Sequence, residues 1–192
     1  FDEMGTADQT FELRELFFLL QTTMSQTEHF RMTRSDSYLA VDLPYTSRRM
    51  SMLVIMPNEN QFLEVEENLG NDFIDEVTRN LTDHNLYLRM PKFETVSAFQ
   101  LERILADMGM PSAFGMYADF SGIDGIGSLY ISSVIHKAFV SVDETGTEAA
   151  AATAVVMDKV NGESAIEFIV DRPFIYLVRD RETKTILFMG RV

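Results

Sequence analysis

The sequence predicts an α+β fold built mostly from antiparallel sheet with a few helices. Three observations carry that expectation. Strand-length apolar runs recur along the chain, two other segments place apolar residues at helical spacing, and Pro, Gly and Asn turn signals separate one piece from the next. No tandem repeat or low-complexity linker divides the chain, so one domain is expected.

Taken in order, Leu13, Leu16, Phe17 and Leu20 have helical spacing, yet their neighbours suggest an extended connection, and the segment stays ambiguous. Leu39, Val41 and Leu43 alternate with Ala40 and Asp42 as a half-buried strand ending at Pro44. Met50–Met56 is a second strand, closed by Pro57-Asn58. Phe73, Ile74, Val77 and Leu81 share one helix face, and Asp72, Asp75 and Glu76 form its solvated side. Leu86 to Thr95 returns to alternation. Leu101, Ile104, Leu105 and Met108 predict a helix, with Gly109 at its C-terminal stop and Pro111 beyond. Tyr130 to Val142 reads as a long strand. Ile166–Val170, Phe174–Arg179 and Thr185–Met189 are three more, the last two joined by the polar turn Asp180–Lys184.

Composition narrows the function classes. At 192 residues the chain can bury a substantial core, and 46% hydrophobic with 24% charged residues is ordinary for a globular protein. No run approaches the ~18 apolar residues a membrane helix needs. The net charge of −14 argues against a nucleic-acid partner, since Arg48-Arg49 and the alternating Arg179–Glu182 stretch are too small to neutralise phosphates. With no cysteine there is no disulfide, thiolate catalysis or Cys-based zinc site. His29, His84 and His136 lack metal-ligand spacing, and no cofactor is expected. Gly122–Gly127 is glycine-rich but lacks the lysine of a phosphate loop. Ser132 and Ser133 make no triad with His136, because strand neighbours point to opposite faces, so no catalytic residue is assigned. Asn80-Leu81-Thr82 is a glycosylation sequon. The start at Phe1 reads as a piece of something longer.

One segment is unusual. Gly146 to Met157 carries a single charge in twelve residues and directly follows a strand. Its alanines favour a helix by propensity. Period two gives another reading, with Thr147, Ala149, Ala151, Thr153, Val155 and Met157 on one uncharged face. Such a face could enter a sheet without burying an unpaired charge, which would cost at least several kcal/mol. The segment therefore permits two conformations.

These residues resemble the serpin family. Glu144-Thr145-Gly146-Thr147-Glu148-Ala149-Ala150-Ala151-Ala152-Thr153 looks like the hinge of inhibitory serpins, with Thr145 off the commoner charged residue. Ile131 to Phe139 resembles the strand leading into it, and Asp171-Arg172-Pro173-Phe174 with Phe188-Met189-Gly190-Arg191-Val192 resembles the C-terminal signature. Leu43-Pro44-Tyr45, Met90-Pro91-Lys92-Phe93 and Ala118-Asp119-Phe120-Ser121-Gly122 add to the match. The resemblance implies the C-terminal part of a single serpin domain, residues 1–192, with an exposed reactive-centre loop over about 144–165 and the N-terminal half absent from this chain.

It also implies a suicide substrate. A target serine protease (in some members a cysteine protease) attacks the loop, whose N-terminal part then inserts into the central sheet. From Gly146 to Val160 is 14 residues, roughly 46 Å as a strand, enough to traverse a domain. Counting from the hinge glycine puts the reactive bond at Val160-Asn161; counting back from Pro173 lands nearer Gly162. Lys159 suits a basic-specific protease, Val160 or Val156 an elastase-like one, and Met157 a chymotrypsin-like one. His136 is expected to be a buried histidine that helps hold the sheet closed, with partners in the absent half. Lys92 and Glu144 resemble the pair that bridges the top of the sheet. An extracellular location is expected. The rival is a non-inhibitory carrier, chaperone or storage serpin, which the four alanines of the hinge disfavour. Alone, without the inner strands, the chain is expected not to inhibit and to be prone to aggregation.

Overall fold

The computed structural model describes residues 2–14, 17–147 and 165–192. The α+β class holds. Two compact units are present, Phe1–Phe93 with Ser141–Val192, and Glu94–Val140.

The first unit is built on β1 (Asp2–Arg14), β2 (Phe17–Arg34), β3 (Tyr38–Pro44), β4 (Met50–Pro57), β5 (Thr82–Pro91), β9 (Ile166–Ile169), β10 (Ile175–Asp180) and β11 (Ile186–Arg191). Strand order is β11-β10-β4-β3-β2-β5-β9, with β1 also on β2. The β5–β9 pair is parallel and the other pairs are antiparallel. The ambiguous stretch around Leu13–Leu20 is extended on both sides of Glu15-Leu16, the end of β1 pairing with the start of β2. Tertiary pairing overrides its helical spacing.

Register explains why β4 is buried along almost its whole length. Val41, Val54 and Tyr176 line up on one face, and Ala40, Ile55 and Ile175 on the other. Helices α1 (Phe62–Glu67) and α2 (Asn71–Arg79) supply Val65, Ile74 and Val77 to the second of these faces. Tyr38 meets Phe73 edge-on there, with ring centres 5.3 Å apart. Over the opposite face Phe93 packs against Phe174 at 5.4 Å and Tyr176 at 5.0 Å. Because both faces are covered, β3 is not the half-buried strand its alternation predicts: Ala40, Val41 and Asp42 are all buried, while Leu39 and Leu43 are only half-buried.

The second unit holds most of β6 (Phe93–Gln100), then α3 (Glu102–Asp107), a 3-10 turn (Pro111–Phe114), α4 (Ser121–Asp124) and the start of β7 (Ile135–Asp143). Gly109 has φ +109°, the left-handed stop expected after α3. The strand expected from Tyr130 begins only at Ile135. Its first part bonds elsewhere: the Ile131 N–H donates to Ala113 O, and Val134 exchanges bonds with Leu101 N–H and the Glu102 carboxylate. No helix among the described residues is long and apolar enough to cross a membrane.

Candidate functional site

The end of β7 builds the site. Glu144 and Thr145 form a turn, and β8 (Gly146–Thr147) folds back antiparallel, placing Thr147 opposite Val142 and Gly146 opposite Asp143. Asp143 fixes the turn by accepting from the Thr145 N–H at 2.8 Å and its hydroxyl at 2.6 Å. Gly146 sits at φ +120°, a backbone state that side chains disfavour. Among the described residues no atom lies within 4 Å of a Cβ placed there, so the backbone angle is what calls for glycine.

Lys92 lies just past the end of β5, where its N–H donates to Thr22 O at 2.9 Å. Its ammonium forms an ion pair with Glu144, whose side chain is 12% exposed against 35% for the lysine. The two residues paired by sequence reasoning are thus brought together. An exposed bridge contributes ~0–1 kcal/mol, and the enclosure of Glu144 puts this one toward the upper end of that range. Its geometric effect is to pin the turn between β7 and β8 to the end of β5.

His136 lies on β7 and is exposed in this chain. The partners expected for it lie in a part of the domain that this chain does not contain. The hinge residues Glu148, Ala149, Ala150, Ala151, Ala152 and Thr153 lie outside the described residues. So do Met157, Lys159, Val160, Asn161 and Gly162, the candidates for the reactive bond.

The other histidines are accounted for locally: His29 Nδ1 is 2.9 Å from Asp83, and His84 Nε2 is 2.8 Å from the Thr82 hydroxyl. No group of three or more metal-ligating side chains occurs among the described residues. The glycine-rich 122–127 stretch does wrap backbone N–H groups around an anion, but the anion is the chain's own. Asp124 accepts from the N–H groups of Ile126, Gly127 and Ser128 at 2.8–3.0 Å and from the Ser128 hydroxyl at 2.8 Å. Those donors, Ser128 first, hold its carboxyl far below the usual range and are already engaged by it.

Sequence reasoning missed one charged cluster. Asp42, almost fully buried, lies 3.1 Å from the Arg179 guanidinium and 3.6 Å from that of Arg181. The only signal was a lone acid inside an apolar strand and two arginines at the end of another. Removing one partner of such a buried pair would leave an uncompensated charge, and the contact links β3 to the end of β10.

The family model described as Serpin (serine protease inhibitor) matches residues 1–192. An uncharacterized serpin-like protein of Thermococcus kodakarensis is 42% identical over 172 residues, covering 88% of this chain and 40% of that protein. The leukocyte elastase inhibitor of Xenopus laevis is 36% identical over 200 residues, covering 100% of this chain and 52% of that protein. Among solved structures, thyroxine-binding globulin in complex with thyroxine superimposes with a TM-score of 0.87 at 28% identity, over 100% of this chain and 51% of that one. The chain therefore spans about half the length of the relatives it matches. With a family model matched along the whole sequence, the chain belongs to the serpin family.

Proposed function

We propose that the complete protein, of which this chain forms the C-terminal part of a single serpin domain, is a suicide-substrate inhibitor of a serine protease. The observation that carries this reading is the start of β8. The hinge residues Gly146 and Thr147 lie antiparallel beside the end of β7, and among the described residues Ile135–Ser141 has a strand only on its β6 side. A segment continuing from Thr147 with one small-residue, uncharged face could extend along that open edge. New strand hydrogen bonds and buried side chains would then drive insertion, so that the uncleaved form is kinetically trapped. In this reading the Lys92–Glu144 bridge holds the turn where insertion begins, and His136 is covered by the rest of the domain. The reactive bond is Val160-Asn161, with Lys159, Met157 and Gly162 as alternatives.

A non-inhibitory role is the second reading, favoured by the likeness to thyroxine-binding globulin, a serpin in complex with a small molecule. One experiment separates the two. The complete protein is mixed with a protease panel that includes an elastase, and SDS-stable complexes are sought. An inhibitor gives a complex with at least one protease, whereas cleavage with full turnover by every protease sinks the inhibitory reading. Thr147→Arg, which would bury a charge during insertion, should convert inhibitor into substrate, and unchanged inhibition would count against insertion.

A further inference from the structure

The sequon Asn80-Leu81-Thr82 takes no part in the hinge, and it sits where α2 ends and β5 begins. Asn80 is the residue that ends α2, with its backbone N–H bonded to Glu76 O at 3.2 Å. Its side chain is exposed, and among the described residues its carboxamide makes no hydrogen bond. Leu81, 4% exposed, is anchored in the core beneath it. A bulky group on Asn80 would therefore project into solvent while the next residue holds the turn in place. We propose that Asn80 is an N-glycosylation acceptor, modified while the complete protein passes through a compartment that holds an oligosaccharyltransferase and a lipid-diphosphate-linked oligosaccharide.

In that transfer the Asn80 amide nitrogen forms a bond to the anomeric carbon of the sugar and loses a proton. The sugar–phosphate bond breaks, and the lipid diphosphate leaves. The fold also sets the timing. Thr82 is the register partner of Met32, and its hydroxyl bonds Met32 O at 3.4 Å and His84 Nε2 at 2.8 Å. The hydroxyl that the sequon contributes is therefore engaged once β2 and β5 have paired, so transfer precedes that pairing. Position keeps the glycan clear of the hinge. β5 runs ten residues from Thr82 to Pro91, and Lys92 follows it. At ~3.3 Å per residue this separates Asn80 from the Lys92–Glu144 bridge by roughly 30 Å along the strand.

The test is peptide mapping by mass spectrometry of the complete protein isolated from its own source. The tryptic peptide running from Asn80 to Arg89 is expected to carry a glycan. That glycan should be lost in Asn80→Gln and in Thr82→Ala, and kept in Thr82→Ser. An unmodified peptide in the isolated protein overturns the proposal, whether the cause is location or access. Persistence of the glycan in Asn80→Gln would also overturn it, by moving the modification to another residue. Neither result bears on inhibition, which the protease panel reads separately.

Discussion

The two units of this chain solve the problem of apolar surface in opposite ways. In the first, β4 and β10 are sandwiched, and Leu53, Ile55, Phe174 and Leu177 are essentially inaccessible. In the second, Val140 alone among residues 94–140 is buried, and none of its helices contributes a buried side chain. Met116 and Tyr117 are each 87% exposed, and Ile126 is 81%. Yet the second unit is well bonded locally: Asp124 collects four donors, Asp119 holds the Ser121 N–H, and Glu102 holds that of Val134. The difference teaches that a segment can have a specified backbone without a core of its own. Its order rests on polar bonds, most of them local, and its apolar side chains stay largely exposed in this chain.

The largest effect should come from the sandwiched sheet. Phe174→Ala removes a fully buried ring that packs on Phe93, and a loss of about 3–5 kcal/mol in urea unfolding is expected. Met116→Ala in this chain should stay within about 0.5 kcal/mol, as at other exposed sites. Equal costs at the two positions would break the comparison. A smaller but still distinct loss should follow Gly190→Ala. Gly190 lies opposite Tyr176, and an added Cβ would fall 2.5 Å from the phenol oxygen and 2.6–2.8 Å from ring carbons. Tyr176 is buried, so the ring has little space into which to yield, and overpacking should cost about 1–3 kcal/mol. A melting temperature unchanged by the substitution would mean that β10 and β11 can slide apart without loss.

Most strands of the first unit were legible because local pattern and tertiary setting agree there. Met50–Met56 is a continuous apolar run with a proline stop, and it is a buried central strand ending at Pro57. Gly109 and the Asp180–Lys184 turn were legible for the same reason, since backbone chemistry at those points is local. Burial was harder to read. Asp42 looks like the solvent face of an alternating strand, and only the arrival of Arg179 and Arg181 from a strand far along the sequence makes it an inside residue. The late start of β7 was hidden because Ile131 and Val134 spend their bonds on a turn and a helix end that periodicity cannot foresee. In the site, Lys92 and Glu144 were found by family resemblance alone; their spacing of more than fifty residues carries no local signal. The setting of His136 carries no local signal either, because burial of a strand residue depends on what covers that strand.

The smallest effect concerns acid, and it sharpens the contrast between the units. Asp180 closes the β10–β11 turn: one oxygen accepts the N–H groups of Glu182 and Thr183 at 2.9 and 3.0 Å, and the other accepts from Arg49 at 2.7 Å. The Thr183 N–H first, then the Arg49 guanidinium, hold its pKa at about 2, against an ordinary 3.8. The folded value lies below the unfolded one, so the carboxylate adds stability that is fully present above about pH 4 and is lost as pH falls through about 2. Asp180→Asn removes this titration, and its unfolding free energy should fall less steeply over that window than that of the unsubstituted chain. Parallel curves would mean that the turn does not tie the carboxylate down. Asp124 is held low by the same kind of donors, but in the unit without a core. Asp124→Asn should accordingly speed amide exchange at Ile126, Gly127 and Ser128 while leaving the global unfolding midpoint in place, because local opening there costs no buried apolar contacts. A midpoint shift as large as that of Asp180→Asn would show that the two units unfold together.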